Sequence, residues 1–285
     1  MEKEIKDYLA QFVKQAVAED LGDGDHTSLS TIEAGAQGEA KLIVKDDGVL
    51  AGVEVAQAII AYVDDSLVCE VFIQDGSRVK MGDIAFYVRG NIQSILLAER
   101  LVLNVMQRMS GIATTTRQYV DLLAGTDTKI LDTRKTTPLL RVLEKEAVRI
   151  GGGTNHRFGL FDMILIKDNH VDYSGGIVPA LERANVYRKS LNKPIAIEIE
   201  VRNFVELDEV LNFGEVDRIM LDNFSPQDVA KAVQIIDRRF KTEASGGITF
   251  DTIRSYAEAG VDYISVGALT HSVKSLDLSL KAKLL

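Results

Sequence analysis

From the N-terminus, apolar residues recur at helical spacing. Ile5, Tyr8, Leu9, Phe12, Val13, Ala16 and Val17 fall on one stripe and predict an amphipathic helix. The stripe stops before Gly22-Asp23-Gly24-Asp25-His26-Thr27-Ser28, a loop-forming run. Residues 38–90 read as short strands at 38–45, 67–73 and 84–89 around one helix near 53–63. Asp75-Gly76 and Met81-Gly82-Asp83 mark turns between them. A long helical stretch from about 92 to 123 follows, and Gly111 is expected to interrupt it.

Beyond that helix the pattern changes. Apolar strand-like runs occur at 129–131, 163–166, 195–201, 218–221, 241–244 and 263–266, separated by amphipathic helical segments such as 204–211, 226–238 and 250–259. Strands alternating with helices imply right-handed βα units and a parallel sheet. Glu200, Asp222, Ser245 and Gly267, at the ends of the last four strands, lie 22, 23 and 22 positions apart. One unit at that spacing, with polar chemistry at each strand's C-terminal end, is how a TIM-like barrel looks in sequence. A doubly wound open sheet is the rival, but no glycine-rich nucleotide fingerprint follows a first strand.

Strand alternation sharpens the expectation. In 195–201 the isoleucines and Val201 share one face, so Ala196, Glu198 and Glu200 share the other. Lys167 falls on the face of Leu165, Asp222 on that of Met220 and Arg218, and Ser245 on that of Glu243. If the aliphatic sets meet the outer helices, the interior holds Lys167, Glu198, Glu200, Arg218, Asp222 and Glu243. Enclosing such charges costs several kcal/mol per ion unless they pair or meet a ligand. Arg218 and Glu243 are the candidates for an internal ion pair; Glu200 and Asp222, at strand ends, are the candidates for function.

Composition narrows the field. The 285-residue chain has a formal net charge of −9, which argues against nucleic-acid or anionic-membrane binding. Yet from Arg134 to Lys167 there are seven Lys/Arg against three Asp/Glu, a local cationic cluster suited to a small anion. The single cysteine, Cys69, permits no intrachain disulfide and no cysteine-rich zinc site. With no apolar run of membrane-spanning length and no signal-peptide core, a cytoplasmic protein is expected.

The motifs carry the chemistry. Ser245-Gly246-Gly247-Ile248 and Ser265-Val266-Gly267-Ala268 follow the last two strands, where small residues let backbone N–H groups approach a phosphate; the plain alternative is two glycine turns. Gly151-Gly152-Gly153 leads into Thr154-Asn155-His156-Arg157. It reads as a flexible connection that brings a carboxylate-gripping His and Arg to the barrel mouth. Lys167 is a point charge at a strand end, and a Schiff-base role stays open. Asp23 and Asp25 lack the remaining pattern of a calcium loop and read as structural. His26, His170 and His271 show no metal-ligand spacing and read as structural too.

Six motifs in order then resemble one family. They are Glu99-Arg100-Leu101-Val102-Leu103-Asn104, Asp132-Thr133-Arg134-Lys135-Thr136, Gly153-Thr154-Asn155-His156-Arg157, Leu165-Ile166-Lys167-Asp168-Asn169-His170, Leu221-Asp222-Asn223-Phe224 and Glu243-Ala244-Ser245-Gly246-Gly247-Ile248. Together they resemble the quinolinate phosphoribosyltransferases. The resemblance implies an α/β fold: an N-terminal α/β sandwich over 1–114, an incomplete TIM-like barrel over 115–272, and a C-terminal segment, 273–285, packing back on the first domain. It also implies a homodimer or higher homo-oligomer with shared active sites. The implied reaction joins quinolinate to 5-phosphoribosyl 1-pyrophosphate (PRPP) with Mg2+, giving nicotinate mononucleotide, pyrophosphate and CO2 on the route to NAD.

By the same resemblance Arg134, His156, Arg157 and Lys167 grip the two carboxylates of quinolinate, with Arg100 reaching in from a neighbouring subunit. Ser245, Gly246, Gly247 and Gly267 cradle the 5-phosphate. Lys135 meets the pyrophosphate, and Glu200 and Asp222 hold the ribose hydroxyls directly or through the metal. Lys135, Lys167, Glu200 and Asp222 form the implied catalytic set. Three other readings stay open at this point. They are a paralogue with another anionic acceptor, a Schiff-base lyase built on Lys167, and a non-catalytic anion-binding protein.

Overall fold

The computed structural model describes residues 3–283. It divides into two compact units. The first is Met1–Arg117, Thr137–Gly152 and Ser272–Leu285; the second is Gln118–Thr136 and Gly153–His271.

In the first unit, α1 (Lys3–Leu21) buries Leu9 and Val13 from the predicted stripe. The loop after it gives way to a short helix, α2 (His26–Thr31), because Asp25 caps it by accepting the Ser28 N–H at 3.0 Å. Asp25 is therefore a structural residue. β1 (Gln37–Val44), β2 (Gly48–Val49), α3 (Val53–Val63), β3 (Val68–Val71), β4 (Arg78–Val79) and β5 (Ile84–Asn91) follow. A C-terminal strand, β12 (Leu278–Lys283), completes a four-stranded antiparallel sheet of order β12-β1-β5-β3. Pairing of β12 with β1 was not visible in local pattern, since strand partners so distant in sequence leave no periodic trace.

α4 (Ile92–Leu122) follows as one continuous helix, burying Ile95, Ala98, Val102, Met106, Met109 and Ala113 along one face. The expected break at Gly111 does not occur. Gly111 permits close approach instead: an added Cβ would lie 2.3 Å from the Lys274 carbonyl oxygen. α5 (Arg141–Ile150), unassigned from sequence, joins the same unit. Arg108 on α4 donates to its fully buried Glu144 at 2.8 Å. Gly151, at its end, is likewise a packing glycine, with a Cβ position 2.6 Å from the Ala113 carbonyl oxygen. At Gly151, then, the connection is tightly packed rather than flexible.

The second unit carries six parallel strands: β6 (Lys129–Leu131), β7 (Met163–Ile166), β8 (Ala196–Val201), β9 (Arg218–Asp222), β10 (Lys241–Ser245) and β11 (Tyr263–Ser265). Their order, β6-β11-β10-β9-β8-β7, has two ends and is an incomplete α/β barrel. Thr154 extends the β6 edge by a parallel bridge to Leu131. Helices α6 (Asp168–Ser174), α7 (Ile177–Ser190), α8 (Phe204–Phe213), α9 (Pro226–Ile236), α10 (Ile253–Glu258) and α11 (Ala268–His271) connect the strands. Asn203 and Ser225 cap α8 and α9, so each helix starts soon after a strand ends and the polar strand termini collect at one rim. Ile197, Ile199, Ile219 and Leu221 are fully buried, as are Glu198 and Glu243 on the opposite strand faces.

Candidate active site

Register brings the predicted positions side by side. In the parallel ladder Glu198 is opposite Arg218, Glu200 opposite Met220, and Asp222 opposite Ser245. The C-terminal ends of β8, β9 and β10 therefore present Glu200, Asp222 and Ser245 in one row. Around them a cavity of about 160 Å³ is lined by Thr133, Arg134, Lys135, His156, Arg157, Leu165, Lys167, Met220, Glu243, Ser245 and Ser265. A larger hollow of about 870 Å³ lies at the opposite ends of the strands, where Lys129, Asp217, Lys241 and Asp262 line it. It gathers none of the predicted residues, and its Lys241 and Asp262 pair at 2.7 Å.

Each cation is placed by its own local structure. Lys167 is the N-cap of α6, where its backbone N–H donates to Nδ1 of His170 at 3.0 Å; His170 is structural, as expected. The Lys167 ammonium reaches Glu200 at 3.1 Å with its side chain about half exposed. It is paired with a carboxylate, not enclosed by the apolar walls that activate a Schiff-base lysine. Arg157 donates to the Met163 carbonyl oxygen at 3.3 Å, and its pKa is lowered, first by burial and then by the charge of Arg134. That repulsion marks the two guanidinium groups as neighbours.

The carboxylates respond in turn. Burial raises the pKa of Glu200; Lys167 opposes the rise, and Asp222 and Asp168 add to it. Asp222 is also raised by burial, against its Asn223 hydrogen bond (2.6 Å) and the charge of Lys167. Asp222 adds to the rise at Glu200 and Asp168 to the rise at both, so negative charge gathers at this rim and supplies oxygen donors of the kind that suit a hard cation such as Mg2+. Among the described residues, ligand atoms already converge at another point: His156, Glu198 and Glu243, all within 4.8 Å. There Arg218 already supplies the cation, 2.9 Å from Glu243, which is the ion pair expected from strand alternation.

His156 is at the floor of the cavity. Its backbone N–H donates to the fully buried Asp132 at 2.8 Å, and its Nε2 is 3.0 Å from Glu198 and 3.4 Å from Glu243. Burial favours its neutral form, as does the Arg157 N–H that its Nδ1 accepts at 2.6 Å, while the two carboxylates at Nε2 pull its pKa upward. Glu198 is raised to about 7 by burial and by Glu243.

The glycines flank the same rim. Gly246 has φ +99°, and an added Cβ would be 2.2 Å from the Asn223 side-chain oxygen. At Gly267 a Cβ would approach Lys135 and His271 to 3.1 Å, so the missing side chain lets Lys135 lie against the backbone. Thr270 fixes that approach by donating to the Lys135 carbonyl oxygen at 2.8 Å.

Arg134, Lys135, His156, Arg157, Lys167 and Ser245 thus share one cavity, with Glu200 joined through Lys167. Asp222 sits beside Ser245, and Gly246 and Gly267 flank the same strand ends. Arg100 is exposed on α4, in the first unit. Asp132 and Ser265 stood in quoted motifs but were given no role of their own from sequence. A polar residue directly after an apolar strand was the available signal for Asp132.

Comparison with known proteins gives the same direction along the whole chain. Residues 25–110 match the family model "Quinolinate phosphoribosyl transferase, N-terminal domain", and residues 112–281 match "Quinolinate phosphoribosyl transferase, C-terminal domain". A Nicotiana tabacum protein described as quinolinate phosphoribosyltransferase [decarboxylating] 2b, mitochondrial, is 46% identical, over 96% of this chain and 82% of its own. A Bacillus subtilis protein described as probable nicotinate-nucleotide pyrophosphorylase [carboxylating] is 42% identical, over 97% and 94%. The solved nicotinate-nucleotide pyrophosphorylase of Francisella tularensis superposes with a TM-score of 0.91 at 39% identity, covering 97% of this chain and 96% of its own.

Proposed function

The chain belongs to the quinolinate phosphoribosyltransferase family, and from that premise we infer how its residues carry out the reaction. The enzyme transfers the phosphoribosyl group of PRPP to quinolinate with decarboxylation, giving nicotinate mononucleotide, pyrophosphate and CO2 in NAD biosynthesis. The observation that carries the assignment of roles is a cation-lined cavity facing a row of carboxylates and glycine-flanked strand ends.

Quinolinate brings two carboxylates, and Arg134, Arg157 and Lys167 are the cations to receive them, with His156 closing the floor. Arg supplies planar two-pronged donors, which fixes the ring as well as its charge. The 5-phosphate of PRPP meets the backbone of Ser245, Gly246, Gly247 and Gly267, and Lys135 meets the pyrophosphate. Glu200 and Asp222 hold the ribose hydroxyls and would hold Mg2+ brought in with PRPP. When bound, the metal neutralises charge on the departing pyrophosphate.

Loss of pyrophosphate leaves positive charge on the ribose ring. Glu200 and Asp222 favour that state electrostatically, and burial strengthens the effect. The ring nitrogen of quinolinate then bonds to C1 of the sugar. The resulting pyridinium stabilises the electron pair left when the adjacent carboxylate departs as CO2, and a proton takes its place. No side chain is needed as a base for that step.

We further propose at least a homodimer in which Arg100 of one copy completes the other's pocket. We also propose a cytoplasmic location. Among the described residues no helix is long and apolar enough to cross a membrane.

The test is a coupled assay with PRPP and Mg2+, supplying quinolinate, nicotinate or no acceptor. Pyrophosphate and CO2 released together, and only with quinolinate, is the expected result. Pyrophosphate without CO2 from nicotinate would point to a different acceptor, and silence with all three from folded protein would refute the reading.

A further inference from the structure

At the floor of the cavity, where Glu243 is part of the lining, lies a charged cluster whose glutamates and arginine the transfer chemistry does not use. Glu198 on β8 and Glu243 on β10 are both 0% exposed, and their oxygens lie 3.0 and 3.4 Å from His156 Nε2. Arg218 closes the far side, 2.9 Å from Glu243 and 3.8 Å from Glu198, with its guanidinium 4.3 Å over the Tyr263 ring. Beyond these ion pairs, neither oxygen of Glu198 has a hydrogen-bond partner.

Simple filling of a barrel core does not call for such a group. Replacing a buried ion cluster with apolar residues of similar volume is often neutral or stabilising. Here the cluster grips one particular side chain. His156 is held at three points: its N–H by Asp132, its Nε2 by the two glutamates, and its Nδ1 by the Arg157 N–H at 2.6 Å. The imidazole therefore links the buried carboxylates to the backbone of Arg157, whose side chain lines the cavity above.

We propose that Glu198 and Glu243 are positioning residues for the acceptor end of the reaction, acting through His156 to set Arg157 against the dicarboxylate. The proposal rests on quinolinate occupying this cavity. It separates the two ends of the site: the glutamates serve the acceptor, while Glu200, two positions along the same strand face, serves the sugar.

Wild-type enzyme is assayed first, because its failure to release pyrophosphate and CO2 from quinolinate would overturn the acceptor assignment itself. Glu198→Gln and Glu243→Gln keep shape and remove charge. Each is expected to raise KM for quinolinate about 10-fold or more while KM for PRPP stays within about 2-fold. In a His156→Gln background the same changes should add less than about 2-fold, since residues acting through one another do not lose additively. Losses that multiply in the double variants, equal rises in both KM values, or wild-type kinetics would each overturn the proposal. Should one glutamine variant fail to fold, the other carries the test alone. If neither folds, the charges are structural and the proposal falls.

Discussion

Gly246→Ala tests the link between backbone shape and phosphate binding most directly. The glycine sits at φ +99°, outside the range that L-residues adopt, so alanine there costs about 1–3 kcal/mol in backbone strain. Its Cβ would also fall 2.2 Å from Asn223 Oδ1 and 3.0 Å from the Asn223 backbone nitrogen. Asn223 has little room to yield. Its own φ is +57°, its N–H donates to the Ser245 carbonyl oxygen at 2.8 Å, and its amide holds Asp222 at 2.6 Å.

The strand end must therefore shift, or Asn223 must release Asp222 at a further cost of about 1 kcal/mol for the lost hydrogen bond. Either response disturbs the PRPP side of the site. A displacement near 1 Å costs roughly 100-fold in rate when it misplaces a reacting group. Gly247→Ala is the matched control: it has φ +61° and nothing within 4 Å of the added Cβ. Its cost should stop at about 1–2 kcal/mol of left-handed strain. The assay pairs urea unfolding with steady-state kinetics in both substrates. Gly246→Ala should lose about 2–4 kcal/mol and raise KM for PRPP at least about 10-fold, with KM for quinolinate little changed. Equal behaviour of the two alanine variants would refute the collision argument.

Three further outcomes follow from the same geometry. Glu200→Ala should lower kcat about 100-fold or more with far-UV circular dichroism unchanged, because the half-exposed Lys167 it frees can turn to water; near-normal turnover would count against the ribose-side role. Inactive Arg100→Ala mixed with inactive Lys167→Ala should regain activity through mixed dimers, and no recovery despite proven subunit exchange would confine Arg100 to its own subunit. Cys69, whose thiol burial pushes up to about 11, should react with iodoacetamide at pH 8 about 100-fold more slowly than an open cysteine. Its rate should still be climbing at pH 10, and rapid native-state labelling by mass spectrometry at pH 8 would contradict the burial.

Much of this was legible before any coordinates. Helical stripes and strand runs are local patterns, so α1, α3 and the barrel strands could be read from periods of 3.6 and 2. The even spacing of Glu200, Asp222, Ser245 and Gly267 announced the rim, and alternation put Glu198 and Glu243 inside. Glycine was the residue most often misread. Gly111 and Gly151 looked like a helix break and a flexible link, yet both are contact points, because sequence shows only the missing side chain and not what fills its place. The tertiary structure alone decided which charges meet. Parallel register brought Glu198 opposite Arg218, and the approach of Gly153–Arg157 to β6 carried His156 onto two glutamates 42 and 87 positions away. Sequence set which side chains exist and which way each strand turns them. Only the pairing and register of strands distant in sequence, which have no local signature, determined their partners.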